Sequence, residues 1–226
     1  FCNYVASPFL SSILLTDTTE RSPTFGLPPF ENINEEIVRP GPCYLFIAQA
    51  QDSLSAWHQV LYRAPRALEW TELKGKASLN RLLGFDLSES GHILTNLRGP
   101  RDHQSIFHFL GDGHGQVEIR FNKKSILLSL PGHPMLQTIV LKMLVNAHST
   151  IVMGRLGRYA NNVMTYVRPS NYKLIDRAIR YVEYLVQDMR PRPSYDEIAK
   201  ILFAKKHLTA VDGSIVEEVV AIIRKK

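Results

Sequence analysis

The 226-residue sequence predicts an α/β protein with a mainly parallel β-sheet and a small helical segment at its C-terminus. Two observations support this fold class. A continuous apolar run at residues 43–48 leads directly into an amphipathic segment at 52–64, which is the order of a strand–helix unit. Strand and helix patterns alternate as far as residue 130, whereas only helical patterns follow residue 170.

The first elements precede a proline-rich stretch. Tyr4–Ala6 predicts a short buried strand, and residues 9–16 predict a helix after the Ser7-Pro8 break. Residues 22–29 contain Pro23, Pro28 and Pro29, and each proline removes a backbone N–H donor. We therefore expect a loop there, and neither a helix nor a central strand.

The middle of the chain combines strands with short helices. The predicted elements are a strand at 43–48, a helix at 52–64, a strand at 67–70, a helix at 77–83, an antiparallel hairpin of 105–110 with 117–121, and a strand at 125–130. The segment from Pro134 to Ile151 has helical spacing with apolar residues on nearly its whole circumference. We expect that helix to be buried on several sides.

The last part of the sequence is helical throughout. Helices are predicted at 174–186, from Ser194 or Asp196 to 206, and finally up to Arg224. We expect one domain over residues 1–188 and a C-terminal helical segment over 189–226.

The charge distribution favours a small anionic ligand over nucleic acid. The formal net charge is +6, and basic residues concentrate between Arg155 and Arg192 and at the C-terminal end. The sequence has no aromatic–basic ribonucleoprotein motif, zinc finger or clear helix-turn-helix. A basic pocket for phosphorylated small molecules explains the local cluster, and a solvated basic face is the alternative.

Composition and cysteine usage predict a cytoplasmic or nuclear globular protein that binds neither a membrane nor nucleic acid. No uncharged apolar run reaches the roughly 18 residues that a membrane-spanning helix needs. Cys2 and Cys43 have neither metal-ligand spacing nor a disulfide-rich pattern, which fits a reducing compartment. The histidines also lack metal spacing, and no dinucleotide or P-loop pattern is present, so we expect no metal and no cofactor. Because the sequence starts without methionine, we expect a fragment or a processed form.

Lys173 provides the first indication of an anion site. With Ser170 as the predicted N-cap, Lys173 is at the third helical position, beside unpaired backbone N–H groups and the positive end of the helix dipole. A phosphate there would receive the dipole and a charge-assisted hydrogen bond. The alternative is that the lysine simply extends into water, at a cost of only about 0.3 to 1 kcal/mol.

Two separated blocks of sequence resemble one known family. Residues 17–26, Asp-Thr-Thr-Glu-Arg-Ser-Pro-Thr-Phe-Gly, resemble the Asp-x-x-Glu-x-x-x-Thr-Phe-Gly stretch of sugar-isomerase-type (SIS) domains. The Ser-Thr of 149–150, the Leu-Gly-Arg of 156–158, Asn162, Met164 and residues 170–174 resemble a second block of the same proteins. The particular group is that of N-acetylmuramic acid 6-phosphate etherases and glucokinase regulatory proteins.

The resemblance implies a three-layer α/β/α SIS domain that binds a hexose or amino-sugar 6-phosphate. The Glu matching Glu20 lies near the sugar in these families, and the Lys matching Lys173 reaches the phosphate. Ser149, Thr150, Ser170 and Asn171 would be supporting polar groups. The site would be completed by a second SIS domain, in the same polypeptide or in a homodimer, and a sugar kinase is a possible protein partner.

Departures from the family favour a binding domain over an enzyme. Where the family's first domain has a glycine-rich phosphate loop, this chain has Ala6-Ser7-Pro8-Phe9-Leu10, which is bulkier and lacks an amide donor at the proline. Glu20 is the only candidate acid or base that the family motif supports. Acid–base chemistry on a sugar usually needs two such groups. We expect a regulator-type second SIS domain without activity of its own. An etherase-like lyase using Glu20, or a sugar-phosphate isomerase, is the alternative.

Overall fold

The computed structural model describes residues 2–25, 30–38, 41, 43–89, 104–111, 113–209 and 213–225, with residues 22 and 23 as backbone only. The chain divides into two compact units. The sheet unit comprises Phe1–Thr19 and Pro28–Asn146, and the helical unit comprises Glu20–Leu27 and Ala147–Lys226.

The sheet unit contains one five-stranded mixed sheet. Its strands are β1 (Cys2–Ala6), β2 (Cys43–Ile47), β3 (Ser105–Gly111), β4 (Gln116–Phe121) and β5 (Lys124–Ser129), in the order β2-β1-β3-β4-β5. β1 pairs in parallel with both β2 and β3, whereas β3–β4 and β4–β5 are antiparallel. The predicted α/β class is confirmed, but only two of the four strand pairings are parallel. The predicted hairpin is β3–β4, and β5, predicted as a separate strand at 125–130, adds a second antiparallel pairing.

The two ends of this sheet differ in exposure. All five residues of β2 are buried, and Ile47 donates its backbone N–H to the Leu87 carbonyl at 2.8 Å, so a following segment covers that end. β5 is mostly exposed, with Ile126 and Leu127 exposing 62% and 69% of their surface. The continuous apolar run predicted for β2 therefore matches a strand covered on both faces.

Helices of the sheet unit follow local capping signals. Among the described residues, the helices that begin in this unit are α1 (Pro8–Phe25), α2 (Ser53–Leu61), α3 (Leu79–Leu83) and α4 (Pro134–Arg155). Asp52 and Ser55 form a capping box at the start of α2, and Ser78 caps α3. The core packs Leu10 and Leu14 of α1 and Leu141 and Val145 of α4 with the central strands.

The prediction of a loop from Ser22 onward is wrong for residues 22–25, because α1 continues through Pro23 to Phe25. The proline removes one intrahelical hydrogen bond in the last turn. Phe25 is only 7% exposed and packs against Met153, and this tertiary contact offsets the local cost. Gly26, Pro28 and Pro29 lie outside the described residues.

A second correction concerns residues 67–70, which form no strand. Leu68 donates its N–H to the Ala77 carbonyl at 2.9 Å, and a 3-10 turn follows at Thr71–Leu73. Trp70 is 62% exposed, so the apolar residues of this stretch do not contribute to the core. The short apolar run was ambiguous because it lacked a sustained alternation.

The expectation that α4 is buried on several sides is wrong. Only a minority of its apolar side chains is buried, among them Leu141, Val145 and Met153. Seven others expose between 37% and 67% of their surface: Met135, Leu136, Ile139, Val140, Met143, Leu144 and Ile151. By length and composition α4 could also cross a membrane, although a single helix of this kind is weak evidence because helices of soluble proteins pass the same test.

In the part of the helical unit that the structure describes, three helices share one core. They are α5 (Tyr172–Leu185), α6 (Tyr195–Lys205) and α7 (Ile215–Ile223). The buried residues are Leu174, Ala178, Ile179 and Val182 of α5, Ile198 and Leu202 of α6, and Ile215, Val216, Val219 and Ile223 of α7. This core joins residues on both sides of position 188, where the sequence predicts a domain boundary.

Candidate functional site

The start of α5 holds three of the predicted ligand-binding residues. Its N-cap is Asn171, whose side-chain oxygen accepts from the Leu174 N–H at 3.1 Å. The predicted Ser170 cap is therefore wrong by one residue. Asn171 has the extended backbone that a cap requires, and its oxygen is committed to the helix. Ser170 is exposed and lies just outside the helix.

Lys173 occupies the second helical position of α5 and is exposed. It thus lies in the first turn, as predicted, one position earlier than the sequence indicated. Its ammonium group has no ion pair with any side chain in the part of the chain that the structure describes. The first turn of α5 also lacks an acidic residue. The arrangement is a cation beside backbone N–H groups that bear partial positive charge.

Glu20, Ser149 and Thr150 belong to the same compact unit as Lys173. Glu20 is exposed on α1, in the part of this helix that belongs to the helical unit. Ser149 is 4% exposed on α4, and Thr150, the next residue, is exposed. All three take part in interactions within the chain. Ser149 is therefore a buried, structural hydroxyl, whereas Glu20 and Thr150 are accessible to solvent.

The two blocks of the family resemblance contact each other. Phe25, from the first block, packs in a small cluster with Met153, Val152, Tyr159 and Met164. The Arg158 guanidinium donates to the Phe25 carbonyl at 3.4 Å, a long hydrogen bond. Residues more than a hundred positions apart in sequence thus form one local core. Phe25 and Met153 lie on α1 and α4, the helices that also carry Glu20 and Thr150.

Sequence analysis missed a basic cavity in the helical unit. The cavity has a volume of about 270 Å³, and the polar side chains of its described lining are those of Tyr166, Arg168, Ser170, Lys206 and Thr209. Only Ser170 was predicted as a ligand-binding residue. The available signal was weak, since Arg168 precedes Ser170 by two positions but Lys206 is 36 positions after Ser170.

Among the described residues, no group of three or more His, Cys, Asp or Glu side chains could hold a metal ion. Cys2 and Cys43 are free cysteines. The predicted site residues of this unit supply the hydroxyls of Ser149, Thr150 and Ser170, the Glu20 carboxylate and the Lys173 ammonium group. Such groups suit the binding of a small anion with hydroxyl groups.

Comparison with known proteins leaves the family assignment as a resemblance. No family model matches this sequence, and no curated protein matches it.

Proposed function

We propose that the chain is a sugar-phosphate-binding domain of the SIS type, acting as the second SIS domain of a regulator similar to glucokinase regulatory protein. Lys173 would pair with the phosphate of a hexose or amino-sugar 6-phosphate, and Glu20 would accept hydrogen bonds from sugar hydroxyls. A second SIS domain, in the same polypeptide or in a homodimer, would complete the site.

The observation that carries this proposal is the charge at the start of α5. The neighbouring helices begin as the dipole favours, with Asp196 and Glu197 in the first turn of α6 and Glu217 and Glu218 in that of α7. α5 has Lys173 there and no acidic residue. A cation in the first turn is unfavourable in the empty protein and becomes favourable when a phosphate binds beside it.

The contact between the two resemblance blocks supports the same proposal. Phe25 and Met153 pack together, and α1 and α4 then present Glu20 and Thr150 to solvent within the helical unit. A resemblance that arose by chance would give no reason for two distant blocks to share a core.

Charge reversal at Lys173 tests the proposal, because it should increase the stability of the unliganded chain and decrease its affinity for sugar phosphates. Lys173→Glu should raise the stability of the unliganded chain by about 0.3 to 1 kcal/mol, because it places a negative charge at the positive end of the dipole. It should also weaken binding of glucose 6-phosphate or glucosamine 6-phosphate by at least about 10-fold, which corresponds to a loss of about 1.4 kcal/mol. Thermal unfolding and calorimetric titration measure the two effects.

Lys200→Glu is the matched control, because Lys200 is exposed on α6 and lies outside the first turn. It should leave affinity for both sugar phosphates unchanged. Equal affinity in the Lys173→Glu variant would remove Lys173 from the site and overturn the proposal. Turnover of a muramic acid 6-phosphate that disappears in Glu20→Gln would instead favour the etherase alternative.

A further inference from the structure

A cavity with polar and charged side chains lies at the C-terminal end of α5, whereas Lys173 lies at the start of this helix. The cavity has a volume of about 330 Å³, and its described lining consists of Glu183, Tyr184, Val186, Gln187, Arg192 and Pro193. These residues come from the last turn of α5 and from the segment that leads to α6. The cavity therefore belongs to the helical unit and is distinct from the site proposed above.

The last turn of α5 carries a carboxylate where the helix dipole favours a cation. The C-terminal carbonyl groups of a helix bear partial negative charge, which a basic residue in the last turn usually offsets. α5 has no basic residue in this turn and contains Glu183 instead. Arg180 lies 3.6 Å from one oxygen of the Glu183 carboxylate, but both side chains are partly exposed, and such pairs contribute little. A ligand cation beside Glu183 is therefore favoured.

The other cation near this helix end is already balanced by a carboxylate. Arg224 donates to the Leu185 carbonyl at 2.9 Å and pairs with the Asp188 carboxylate at 2.8 Å. Arg224 and Asp188 are not among the lining residues of the cavity. Their ion pair therefore leaves the charge of Glu183 facing the cavity.

Arg192 supplies a positive charge to the same cavity. Its Nε donates to the Gln187 carbonyl at 3.1 Å, which holds the guanidinium in place without using its two terminal nitrogens. In the part of the chain that the structure describes, Arg192 forms no ion pair, and the ion pair of Glu183 is with Arg180. The two charges of the lining therefore do not pair with each other. A guanidinium with both terminal nitrogens available can bind a carboxylate through two parallel hydrogen bonds.

The remaining wall of the cavity is largely apolar and is anchored in the core. Val186 is 1% exposed and belongs to the shared core of the three helices. Its N–H donates to the Val182 carbonyl at 3.0 Å, and its carbonyl accepts from the Met189 N–H at 3.0 Å. The Tyr184 ring and the half-buried Pro193 complete this wall. Such a surface suits an apolar or aromatic side chain of a ligand.

We propose that this cavity binds a free amino acid with an apolar side chain. The Glu183 carboxylate would accept hydrogen bonds from its ammonium group, and Arg192 would hold its carboxylate. The side chain of the amino acid would lie against Tyr184 and Pro193. A volume of about 330 Å³ is near the lower end of the range for ligand cavities, which limits the ligand to a compact molecule. The ligand differs in chemistry from a sugar phosphate, so this inference does not depend on the proposed function.

L-Phenylalanine is a suitable probe, because two of its derivatives each lack one of its charges. N-Acetyl-L-phenylalanine lacks the cation, and L-phenylalanine amide lacks the carboxylate. Calorimetric titration of the full chain should give saturable binding of L-phenylalanine in the millimolar range or tighter, and the amide resonances of Tyr184 and Gln187 should shift. Each derivative should bind about 10-fold more weakly, because it loses one charge-assisted contact.

Two variants assign each ligand charge to one residue. Glu183→Gln and Arg192→Gln should each weaken binding of L-phenylalanine by about 10-fold. Glu183→Gln should no longer distinguish L-phenylalanine from its N-acetyl derivative, because the partner of the ammonium group is gone. Arg192→Gln should no longer distinguish L-phenylalanine from its amide. A merely structural role of either residue would instead weaken the binding of all three compounds alike.

Lys200→Gln and Glu217→Gln are the matched controls, because both residues are exposed and lie outside the lining of the cavity. Both should leave affinity for L-phenylalanine unchanged. Thermal unfolding establishes that each variant is folded, and Glu183→Gln provides a second test if Arg192→Gln does not fold. Lys173→Gln should retain L-phenylalanine binding, so failure of one site is distinguishable from failure of the other. Absence of saturable binding at high millimolar concentration, or full affinity in a folded Arg192→Gln variant, would overturn the proposal.

Discussion

Helices α4 and α5 differ in how the chain uses their apolar residues. α5 concentrates them on one stripe, and Leu174, Ala178, Ile179 and Val182 are all buried. α4 carries apolar residues around most of its circumference, and Met135, Met143 and Ile151 expose more than 60% of their surface. The periodicity of apolar residues thus identifies which face of a helix is buried. The total apolar content of a helix does not show how many of its sides are covered by other elements of the protein.

The largest expected effect comes from placing one charge on each helix. Val182→Asp puts an unpaired carboxylate at a fully buried position of α5 and should destabilise the helical unit by more than about 4 kcal/mol. Met143→Asp, at an α4 position that is 66% exposed, should cost less than about 1 kcal/mol, mostly through helix propensity. Chemical denaturation followed by circular dichroism measures both. A similar cost for the two variants would mean that the exposed face of α4 is covered in solution.

A smaller effect is expected from the caps of the same helices. Asn171→Ala should cost about 1 kcal/mol, because it removes the acceptor of the Leu174 N–H at the start of α5. At α4 the His133 Nδ1 accepts from the Met135 N–H at 3.3 Å, and this bond should contribute less because it is longer and exposed, whereas the Asn171 bond is partly buried. Denaturation midpoints of Asn171→Ala and His133→Ala compare the two caps directly. A larger loss for His133→Ala would contradict this ranking.

The smallest effect concerns the end of α5 and depends on pH. Hydrogen bonds from Arg224, at 2.8 and 3.1 Å, hold the pKa of Asp188 below its ordinary value, with a smaller contribution from the backbone N–H of Asp188. Because the pKa is lowered in the folded state, the stabilisation is present above the unfolded pKa of an aspartate and is lost as pH falls through the folded one. Asp188→Asn should be slightly less stable than the parent chain near neutral pH. That difference should shrink in acid, and a constant difference across the titration would exclude this origin.

Much of the local structure could be predicted because its signals lie within a few residues of one another. The Asp52 and Ser194 capping signals, the alternation in 117–121 and the stripe of α5 all predicted the observed elements. The incorrect prediction at residues 22–25 depended on a residue that is distant in sequence. α1 passes Pro23 because Phe25 packs on Met153, and no local pattern contains that contact.

The candidate site shows the same limit. Lys173 was identified from its position in the first turn of a predicted helix. In the structure the N-cap of that helix is Asn171, one residue after the predicted Ser170. Arg168 and Lys206 lie on separate segments, and their common cavity depends on how α6 and α7 return to the start of α5. Sequence reasoning can identify an unusual charge, but a cavity requires the three-dimensional path of the chain.

The position of β1 has a consequence for the order in which the protein folds. Cys2 pairs with Cys43 on one side and with Ser105 on the other. The backbone pairing of this strand therefore cannot form until β2 and β3, which are synthesised much later, are present. Closing such long loops costs entropy before any contact compensates it, which slows the folding of sheets with parallel pairing. The α5–α7 helices contact one another within about 50 residues, and we expect them to reach their native packing faster than the sheet once they leave the ribosome.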